Sequence, residues 1–443
     1  MNEFKKLGVS EAILKSLEEA EISVPTEIQE KSIPLILEGK DVIAGSATGS
    51  GKTLAFGAGI IQNNKPGNGI QSLVLTPTRE LAEQVKDALR KFSKHSKLKI
   101  CVVYGGVSIN PQIEKLRQAD VVVGTPGRIL DHLERQTLNL SKVNLLVLDE
   151  ADRMLDMGFI DDVQKITSQC PKERQTLLFS ATIQSHVVSI SQRYMNNPVK
   201  ISAESYVDPK KLTQVYYDTP RNVKVGLLVH LLKHEESGLV MVFCNTRRNV
   251  DFITTNLKAN GVEVQAIHGG FSQAKRTKTL SDFHSNKAQV LVCTDVAARG
   301  LDIPHVSHVY NYDMPDDGKE YVHRIGRTAR AGKEGKVINV LSEEGYDNFS
   351  RILHEIKIDI PKVELPKTER VIIKKVEEKY ARNGSGRGGP RGGSRGGGRP
   401  MRRWGVQLNE GRSEGRSSDR PSGSHRASTH TRPKRNGPRR SHD

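Results

Sequence analysis

A glycine-rich segment ending in a lysine and a threonine follows the short apolar run at 42–44. Glycines let backbone N–H groups turn toward a phosphate, and the positive end of a following helix strengthens the attraction. Lys52 is placed to reach the β- and γ-phosphates of a nucleotide, and the Thr53 hydroxyl is placed to ligate Mg²⁺. This spacing predicts a phosphate-binding loop made of Ser46, Ala47, Thr48, Gly49, Ser50, Gly51, Lys52 and Thr53, with Ser46 where the general pattern has its first glycine.

Two adjacent acids, Asp149 and Glu150, follow the apolar run at 145–148. One carboxylate at the end of a buried strand can hold Mg²⁺ through water, and the next can orient or deprotonate an attacking water molecule. Paired acids can also cap a strand, but the phosphate loop upstream favours chemistry. The sequence therefore predicts an ATPase with catalytic Lys52, Asp149 and Glu150, in which Thr53 and Asp149 ligate the metal.

Strands and helices must hold these residues in place. The apolar pattern predicts two successive sets of strands and helices. Short apolar runs separated by helical segments such as 80–92 are typical of strands buried on both faces. The pattern restarts near Leu212, and only the first set contains a Gly-Lys-Thr. We therefore predict two α/β domains with parallel sheets. The runs lie at 72–75, 100–103, 121–123 and 145–148, then at 239–243, 289–292 and 306–310.

Length and charge set the broad class of the protein. A chain of 443 residues exceeds the roughly 250–300 residues at which single cores stop growing. The formal charge of +17 makes nucleic acid the leading partner, ahead of a membrane surface, because no long apolar run is present. Residues 381–443 hold fifteen arginines and one lysine against four acids, so +12 of the charge belongs to this segment.

The C-terminal segment is rich in arginine and glycine and poor in apolar residues. Too little apolar surface is available to offset the entropy of ordering, which predicts a disordered tail. Its Arg-Gly-Gly steps suit sequence-tolerant binding of nucleic acid, and a merely solubilising tail is the alternative. The four cysteines are widely spaced and the N-terminus lacks an apolar signal core, which predicts buried free thiols and a cytoplasmic protein.

The tetrapeptide Asp149-Glu150-Ala151-Asp152 resembles the signature of the DEAD-box ATP-dependent RNA helicases, and the resemblance extends from residue 4 to about 360. It implies two tandem RecA-like domains followed by the disordered tail. We expect a first domain at 1–205, a linker at 206–212, a second domain at 213–365 and the basic tail at 366–443. The implied cofactors are ATP and Mg²⁺.

The resemblance also implies an adenine-reading motif around Pro25-Thr26-Glu27-Ile28-Gln29. The Gln29 amide offers a donor and an acceptor to the adenine edge, and Phe4 can stack on the ring. Ile22 stands where the family usually has an aromatic residue. Asp302 of the second domain is expected to face the ribose.

The RNA-contact motifs of the family have counterparts in both domains. Threonine hydroxyls, loop amides, helix N-termini and arginines contact phosphates and riboses rather than bases, and the 2′-OH distinguishes RNA from DNA. The implied RNA-binding residues are Pro77, Thr78, Arg79, Gly105, Gly106, Thr125, Gly127 and Arg128 in the first domain and Thr246, Arg247, Gly269 and Thr294 in the second.

Two further motifs connect hydrolysis to domain closure. Ser180 and Thr182 resemble the coupling motif whose hydroxyls hydrogen-bond Asp152, with His323 assigned to the same role. Arg327 and Arg330 are expected to be arginine fingers; lying three apart, they would share one face of a helical turn. Ala329 replaces the usual glycine between them.

Finer resemblance points to the bacterial RhlE-type subgroup, on the segments 105–112 and 153–160 and the short Arg/Gly tail.

From the resemblance to the family we expect RNA-stimulated ATP hydrolysis coupled to local unwinding of short RNA duplexes. An ATP-gated RNA clamp or annealing chaperone and a DNA translocase of the same superfamily remain alternatives. We expect a monomer, with protein partners from ribosome assembly or RNA decay.

Overall fold

The computed structural model describes the chain in seven stretches: 3–46, 49–180, 193–203, 212–298, 303, 306–329 and 334–375. Five predicted site residues lie outside these stretches, as does most of the predicted linker and nearly all of the predicted tail. The five residues are Ala47, Thr48, Thr182, Asp302 and Arg330.

The first domain is built on a parallel sheet of seven strands in the order β3-β4-β2-β5-β6-β1-β7. The apolar runs predicted to be strands are strands, and their residues are buried on both faces. The strands are β1 Val42–Gly45, β2 Ser72–Leu75, β3 Ile100–Val103, β4 Val121–Gly124, β5 Leu145–Leu148, β6 Gln175–Ser180 and β7 Val199–Ser202.

Helices cover both faces of this sheet, because successive strand residues point to opposite sides. Val74 and Val147 belong to one apolar cluster, whereas Leu73 and Leu146 belong to the other. The helices are α1 Glu3–Lys6, α2 Glu11–Glu19, α3 Glu27–Leu37, α4 Lys52–Asn63, α5 Arg79–Phe92, α6 Asn110–Leu116, α7 Pro126–Glu134, α8 Ala151–Asp156 and α9 Ile160–Ser168.

The second domain repeats this plan with a parallel seven-stranded sheet in the order β10-β11-β9-β12-β13-β8-β14. Its central strands are again buried, which confirms the second set of predicted strands. The strands are β8 Leu212–Asp218, β9 Leu239–Phe243, β10 Val264–Ile267, β11 Val290–Cys293, β12 Val306–Asn311, β13 Gly335–Leu341 and β14 Lys362–Val363.

The described helices of the second domain also divide between the two faces of the sheet. They are α10 Lys224–His234, α11 Arg247–Ala259, α12 Gln273–His284, α13 Asp295–Ala298, α14 Gly318–Ile325 and α15 Tyr346–Ile356, with a 3₁₀ turn at Glu343–Gly345.

The predicted domain boundaries need two corrections. Strand β8 starts at Leu212, which was assigned to the linker. Residues 366–375 were assigned to the tail, but hydrogen bonds from Asn256 and Asn260 hold this segment against the second domain. The folded body therefore extends at least to residue 375.

All four cysteines are buried and unpaired, as predicted. Within the described stretches, no helix is long and apolar enough to cross a membrane.

Candidate active site

The predicted site residues of the first domain lie at one edge of its sheet, where parallel strands end. The phosphate loop follows β1, Asp149 follows β5, and Ser180 is the last residue of β6. Thr78, Gly105 and Thr125 follow β2, β3 and β4. Ligands of open parallel sheets bind outside the carboxyl ends of the strands, so the topology brings these separate motifs together.

The phosphate loop has backbone conformations that only glycine adopts readily. Gly49 and Gly51 have φ of +83° and +91°, in the left-handed region. A Cβ on Gly51 would overlap the Gln29 side chain. Lys52 is the first residue of α4, is buried, and donates from Nζ to the Ser46 carbonyl at 3.3 Å. The loop thus has the glycine placement and helix N-terminus that phosphate binding needs.

The adenine-reading motif is attached to the phosphate loop. The Thr26 hydroxyl donates to the Ser50 carbonyl at 2.7 Å, and Gln29 Nε2 donates to the Gly51 carbonyl at 3.0 Å. Gln29 Oε1 accepts the Thr26 N–H at 2.9 Å and so caps α3. A carboxamide has a second N–H and a second lone pair, which leaves Gln29 one donor and one acceptor for a base.

Phe4 does not have the position that ring stacking requires. Its side chain is 0% exposed and packs in the apolar core of the first domain, where Ile22 also packs. A ring buried by protein on all sides presents no face to a nucleotide. We therefore correct the stacking assignment: Phe4 holds the short helix α1 on the core.

Asp149 and Glu150 have two unusual properties. Asp149 is buried, and this burial raises the pKa of its carboxyl to about 6, against the opposing attraction of Lys52. Glu150 has φ 52° and ψ 51°, in the left-handed region although it is not glycine. Backbone strain of this kind costs on the order of 1–3 kcal/mol and is concentrated at functional sites.

The donor set is suited to Mg²⁺ held together with a nucleotide. Among the described residues, no group of three or more acidic, histidine or cysteine side chains could hold a metal ion. Mg²⁺ is commonly held by one or two protein ligands together with substrate phosphates and water. A buried carboxylate at the edge of a phosphate loop, with its pKa raised by burial, fits a site where a cation would compensate the charge.

Two of the predicted coupling residues, Asp152 and Ser180, lie at the same edge of the first sheet. Asp152 and Ser180 are buried, and the Ser46 backbone N–H donates to the Ser180 carbonyl at 2.9 Å, which connects the coupling strand to the phosphate loop. Thr182 lies outside the described residues. His323 is half-buried on α14 of the second domain.

The predicted RNA-binding residues of the first domain are arranged around helix starts and tight loops. Thr78 caps α5, where its hydroxyl accepts the Leu81 N–H at 3.3 Å. The Arg79 guanidinium lies beside Gly106, which has φ +79°, and a Cβ on Gly106 would displace this guanidinium. Thr125 precedes α7 and Pro77 is buried, while Gly127 is exposed.

Arg128 holds the loop that contains the two adjacent glycines. Both of its terminal nitrogens donate to the Val107 carbonyl, at 3.3 and 3.2 Å, and Nε lies 3.4 Å from Asp131 Oδ2. Gly105 and Gly106 directly precede Val107. This places Arg128 as an anchor of the loop as well as a cation at its surface.

The second domain shows the same arrangement on its corresponding strands. Thr246 caps α11 after β9, with its hydroxyl accepting the Asn249 N–H at 3.1 Å. The exposed Arg247 side chain lies against Gly269, after β10, and Thr294 precedes α13, after β11. His268 bonds Asp251 at 3.1 Å and accepts the Gly270 N–H at 3.0 Å, and so fixes the glycine loop.

In both sheets, the predicted RNA residues and the predicted nucleotide or coupling residues follow different strands. In the first sheet the predicted RNA residues follow the outer strands β3, β4 and β2, and the nucleotide residues follow β5 and β1. In the second sheet the RNA residues follow β10, β11 and β9, while the helix carrying His323 follows β12. We call these two parts of each domain the predicted RNA side and the predicted nucleotide side, or RNA side and nucleotide side for short.

The first of the two predicted arginine fingers, Arg327, lies beyond the end of a helix. Helix α14 ends at Ile325, the Arg327 N–H bonds the Arg324 carbonyl, and Ala329 has φ +55°. The chain therefore leaves the helix before Arg327, so spacing along a helix face cannot relate Arg327 to Arg330, which lies outside the described residues. Arg327 is buried, and its Nε donates to the His323 carbonyl at 3.2 Å.

Ala329 carries the cost of a left-handed residue at the position where glycine is usual. That conformation costs roughly 1–2 kcal/mol for an L-residue. Its methyl group is buried in the apolar core of the second domain, and one buried methyl recovers about 0.8 kcal/mol. Burial of the methyl group therefore offsets about half of the cost, which makes an alanine tolerable here.

Arg324 is a buried anchor that sequence reasoning missed. Its Nε and Nη2 donate to the two carboxylate oxygens of Asp295, each at 2.6 Å. Its remaining hydrogen bonds go to Asn245, Asn311 and the Asp313 carbonyl. It therefore holds together the ends of three strands around which the second-domain site is built. A fully buried arginine carries no local sequence signal.

Described residues of the two domains contact each other through Glu80 and through Lys319, and the sequence did not predict these contacts. Gln273 Nε2 on α12 donates to Glu80 Oε1 on α5 at 2.9 Å, and Arg276 Nη2 lies 2.9 Å from Glu80 Oε2. Lys319 on α14 lies 2.7 Å from Asp156 Oδ2, at the end of α8. The first contact lies beside the RNA side and the second beside the nucleotide side.

Two protein families match the chain. The family described as DEAD/DEAH box helicase matches residues 26–190, and the one described as helicase conserved C-terminal domain matches residues 223–332. Together they cover more than half of the chain, and each falls on one of the two sheets.

Curated relatives extend this match over most of the chain. The ATP-dependent RNA helicase CshA of Listeria monocytogenes is 47% identical over 352 residues, which cover 78% of this chain and 68% of that protein. CshA of Geobacillus kaustophilus is 43% identical over 376 residues, covering 84% and 80%. These relatives carry the name CshA, so the RhlE-type subgroup suggested by the sequence finds no support in them.

Solved structures show the same fold. Saccharomyces cerevisiae Dbp5 bound to RNA and ADP-BeF₃ gives a TM-score of 0.76 at 32% identity, over 82% of this chain and 96% of that one. A DEAD-box protein of the hyperthermophile Methanococcus jannaschii gives 0.51 at 41% identity, over 81% and 98%. The two domains are thus RecA-like α/β domains in tandem, as expected.

Proposed function

Because the chain belongs to the DEAD-box family of ATP-dependent RNA helicases, we propose that RNA gates its ATP hydrolysis by closing the two domains on each other, and that closure opens short RNA duplexes locally. ATP binding and RNA binding are each divided between the domains in this proposal. Neither domain alone carries a complete site.

The single observation that carries the proposal is the contact between Glu80 and the pair Gln273 and Arg276. It joins the RNA sides of the two domains, and Glu80 is buried by it. The higher TM-score with RNA-bound Dbp5 than with the archaeal protein, despite lower identity and similar coverage, supports the same arrangement of the domains.

Each residue of the nucleotide site has a role in this proposal. The phosphate loop would bind the phosphates, with Lys52 neutralising charge, while Thr53 and Asp149 would hold Mg²⁺. When bound, Mg²⁺ spreads charge from the phosphates and orients them. Glu150 would orient the attacking water and accept its proton, and Arg327 and Arg330 would stabilise charge on the transferred phosphoryl group. Gln29 and Thr26 would select adenine, and Asp302 would contact the ribose.

The RNA side acts through backbone contacts in this proposal. Threonine caps, glycine loops and arginines of both domains would bind phosphates and riboses. RNA as the ligand is supported by the similarity to Dbp5, which was solved bound to RNA. Binding RNA to both domains favours the closed state, and linkage requires that closure strengthen RNA and ATP binding together. Asp152, Ser180, Thr182 and His323 would couple the two sites. The basic tail, residues 376–443, would add electrostatic RNA binding.

The proposal also covers the location of the protein, its oligomeric state and its partners. We propose a cytoplasmic monomer, with partners in ribosome assembly or RNA decay. The RhlE-type subgroup is set aside, because the relatives described above are named CshA. Family membership also sets aside the DNA translocase.

A strand-separation assay tests the proposal against the ATP-gated RNA clamp. A short RNA duplex with a single-stranded extension is mixed with the full chain and either ATP or a non-hydrolysable analogue. We expect separation with ATP, and RNA-stimulated ATP turnover that single-stranded DNA does not reproduce. Tight ATP-dependent RNA binding without strand separation would replace unwinding by clamping, and equal stimulation by DNA would contradict the RNA assignment.

A further inference from the structure

The last described residues of the chain, 364–375, cross helices α10 and α11 of the second domain. We call residues 368–374 the strap. Val371 packs with the apolar cluster on this face of the sheet, and Val371 and Thr368 both lie beside Gly226 of α10. The strap contains no helix or strand of its own, so its backbone polar groups need partners from elsewhere.

Two asparagines on α11 supply those partners. Asn260 Nδ2 donates to the Ile372 carbonyl at 2.9 Å, and its Oδ1 accepts the Ile372 N–H at 2.9 Å. Asn256 repeats the pattern on Lys374, donating to its carbonyl at 3.2 Å and accepting its N–H at 2.7 Å. Each carboxamide therefore binds both backbone groups of one strap residue.

We call Asn256 and Asn260 with these hydrogen bonds the asparagine ladder. Its spacing follows from elementary geometry. Residues four apart on a helix are separated by about 6 Å along its axis, and alternate residues of an extended chain by about 6.6 Å. The two asparagines are therefore spaced so that they can bind alternate residues of an extended backbone.

The two asparagines bind the backbone of the strap and not its side chains. The side chains of Ile372 and Ile373 are 58% and 50% exposed, while Asn256 is 0% exposed. The second Nδ2 hydrogen of each asparagine goes to a carbonyl of its own helix, Phe252 for Asn256 and Asn256 for Asn260. These bonds fix both carboxamides before the strap arrives, so the site is preorganised for a peptide backbone.

The direction of the strap gives the ladder a functional meaning. The chain meets Asn260 before Asn256, so it runs antiparallel to α11, toward the helix start at Thr246 and Arg247. Those two residues are among the proposed RNA contacts. Nine helical residues separate Arg247 from Asn256, which is about 14 Å along the axis.

We propose that Asn256 and Asn260 form a peptide-backbone binding site for the strap, and that this site sets the point from which the basic tail leaves the folded body, close to the RNA side of the second domain. The inference rests on the proposed RNA binding by the tail. Arg387, the first arginine of an Arg-Gly-Gly step, lies twelve positions after Lys375. Release of the strap back to β14 adds twelve more.

The size of the effect follows from the tether length. Doubling a flexible tether lowers the effective concentration of its end by roughly threefold, because that concentration falls as the −3/2 power of length. We therefore expect release of the strap to weaken RNA binding by the full chain about threefold.

A pair of matched variants isolates the ladder. Replacing Ile372 and Lys374 together by proline removes both N–H groups that the asparagines accept, at positions outside the core. Replacing Ile373 and Lys375 by proline loses the same two residue types and gains the same two prolines, but removes no ladder hydrogen bond. Thermal unfolding of both variants checks that the body remains folded.

Strap release is measured first, in a chain ending at residue 380, which retains every described residue. Trypsin cleavage after Lys367 and Arg370 should be faster in the 372/374 variant and unchanged in the 373/375 variant. Equal protection in both variants, or equal release, would overturn the ladder as the group that holds the strap.

Affinity for a fluorescein-labelled single-stranded oligouridine RNA is measured next, in the full chain and in the chain ending at 380. We expect a roughly threefold loss for the 372/374 variant in the full chain and none in the shortened chain. Release without loss of affinity in the full chain would overturn the positioning role. If shortening the chain does not itself weaken RNA binding, tail binding fails, which is the proposed function's error, and the positioning role falls with it.

Discussion

The guanidinium of Arg276 lies 2.9 Å from the carboxylate of Glu80, and the two residues belong to different domains. Both side chains are largely shielded from solvent, at 12% and 4% exposed. Glu80 follows the RNA-side residues Thr78 and Arg79 in the first turn of α5, so in the proposed closure this contact would bring the two RNA sides together. Its strength therefore bears on the free energy of closure.

Arg276→Ala should weaken the closed state. Truncating one partner of a buried charge pair leaves the other charge poorly compensated, and such losses commonly exceed about 1.4 kcal/mol, or tenfold in an equilibrium constant. We expect at least about a tenfold loss of RNA affinity in the presence of ATP, measured by fluorescence anisotropy with a non-hydrolysable analogue.

The matched control for this variant is Lys278→Ala, which removes an exposed cation from the same helix two residues further on. Nucleotide affinity without RNA should be unchanged in both variants, because the open protein does not use the contact. A tenfold loss in the control as well would mean that general helix charge, and not the pairing with Glu80, is responsible.

Lys319 and Asp156 offer a second, weaker test of closure on the nucleotide side. Their side chains are 21% and 41% exposed, and ion pairs in solvent contribute about 0.2–1 kcal/mol. Lys319→Glu should therefore raise the RNA concentration for half-maximal ATPase stimulation by about two- to fivefold.

Charge reversal at both positions provides the control. The double variant Lys319→Glu with Asp156→Lys restores opposite charges across the same gap and should recover most of the loss. If the double variant is as impaired as the sum of its two single variants, the pair does not act through charge.

The sequence predicted features that are local in the chain and missed those that depend on distant pairing. The apolar run Ser72–Leu75 identifies a buried strand by itself, and Asp149 and Glu150 identify a site edge because a strand precedes them. The bond from Gln273 to Glu80 joins positions 193 residues apart, and nothing near either residue indicates its partner.

The errors have the same origin. The predicted tail includes the strap, because nothing within the strap sequence shows that Asn256 and Asn260 on a distant helix bind its backbone. Arg327 was placed on a helix by its spacing from Arg330, although Gly326 and the positive φ of Ala329 end the helical course. Phe4 was assigned to the nucleotide from its place in a motif, and only the packed core reveals its burial.

Glu150→Gln tests the assignment of the water-activating group. The amide keeps the size and much of the hydrogen bonding of the carboxylate but cannot accept a proton, so turnover should fall by about two to four orders of magnitude. ATP and RNA affinities should stay within about twofold, since these interactions do not depend on proton transfer. The measurements are steady-state phosphate release and equilibrium binding of nucleotide and RNA. Turnover near that of the unmodified protein would remove Glu150 from its proposed role.

Asp149→Asn should stabilise the nucleotide-free protein while abolishing turnover. Burial raises the pKa of the Asp149 carboxyl from its ordinary value of 3.8 to about 6 in the folded protein. The folded state therefore binds the proton more tightly than the unfolded state, and the unmodified protein loses stability as pH rises through this interval. The loss in the free energy of unfolding is complete above pH about 6. Each pKa unit corresponds to 1.36 kcal/mol, so this loss is at most about 3 kcal/mol.

Asparagine does not titrate, so its stabilising effect should follow the same profile. The difference in the free energy of unfolding between Asp149→Asn and the unmodified protein should grow between pH about 4 and 6 and stay constant above. The gain should fall short of the upper bound, because Lys52 loses the nearby negative charge and keeps only its bond to the Ser46 carbonyl. Urea unfolding at several pH values, without nucleotide or Mg²⁺, measures the profile. A difference independent of pH would show that the burial of a charge at Asp149 is not its cause.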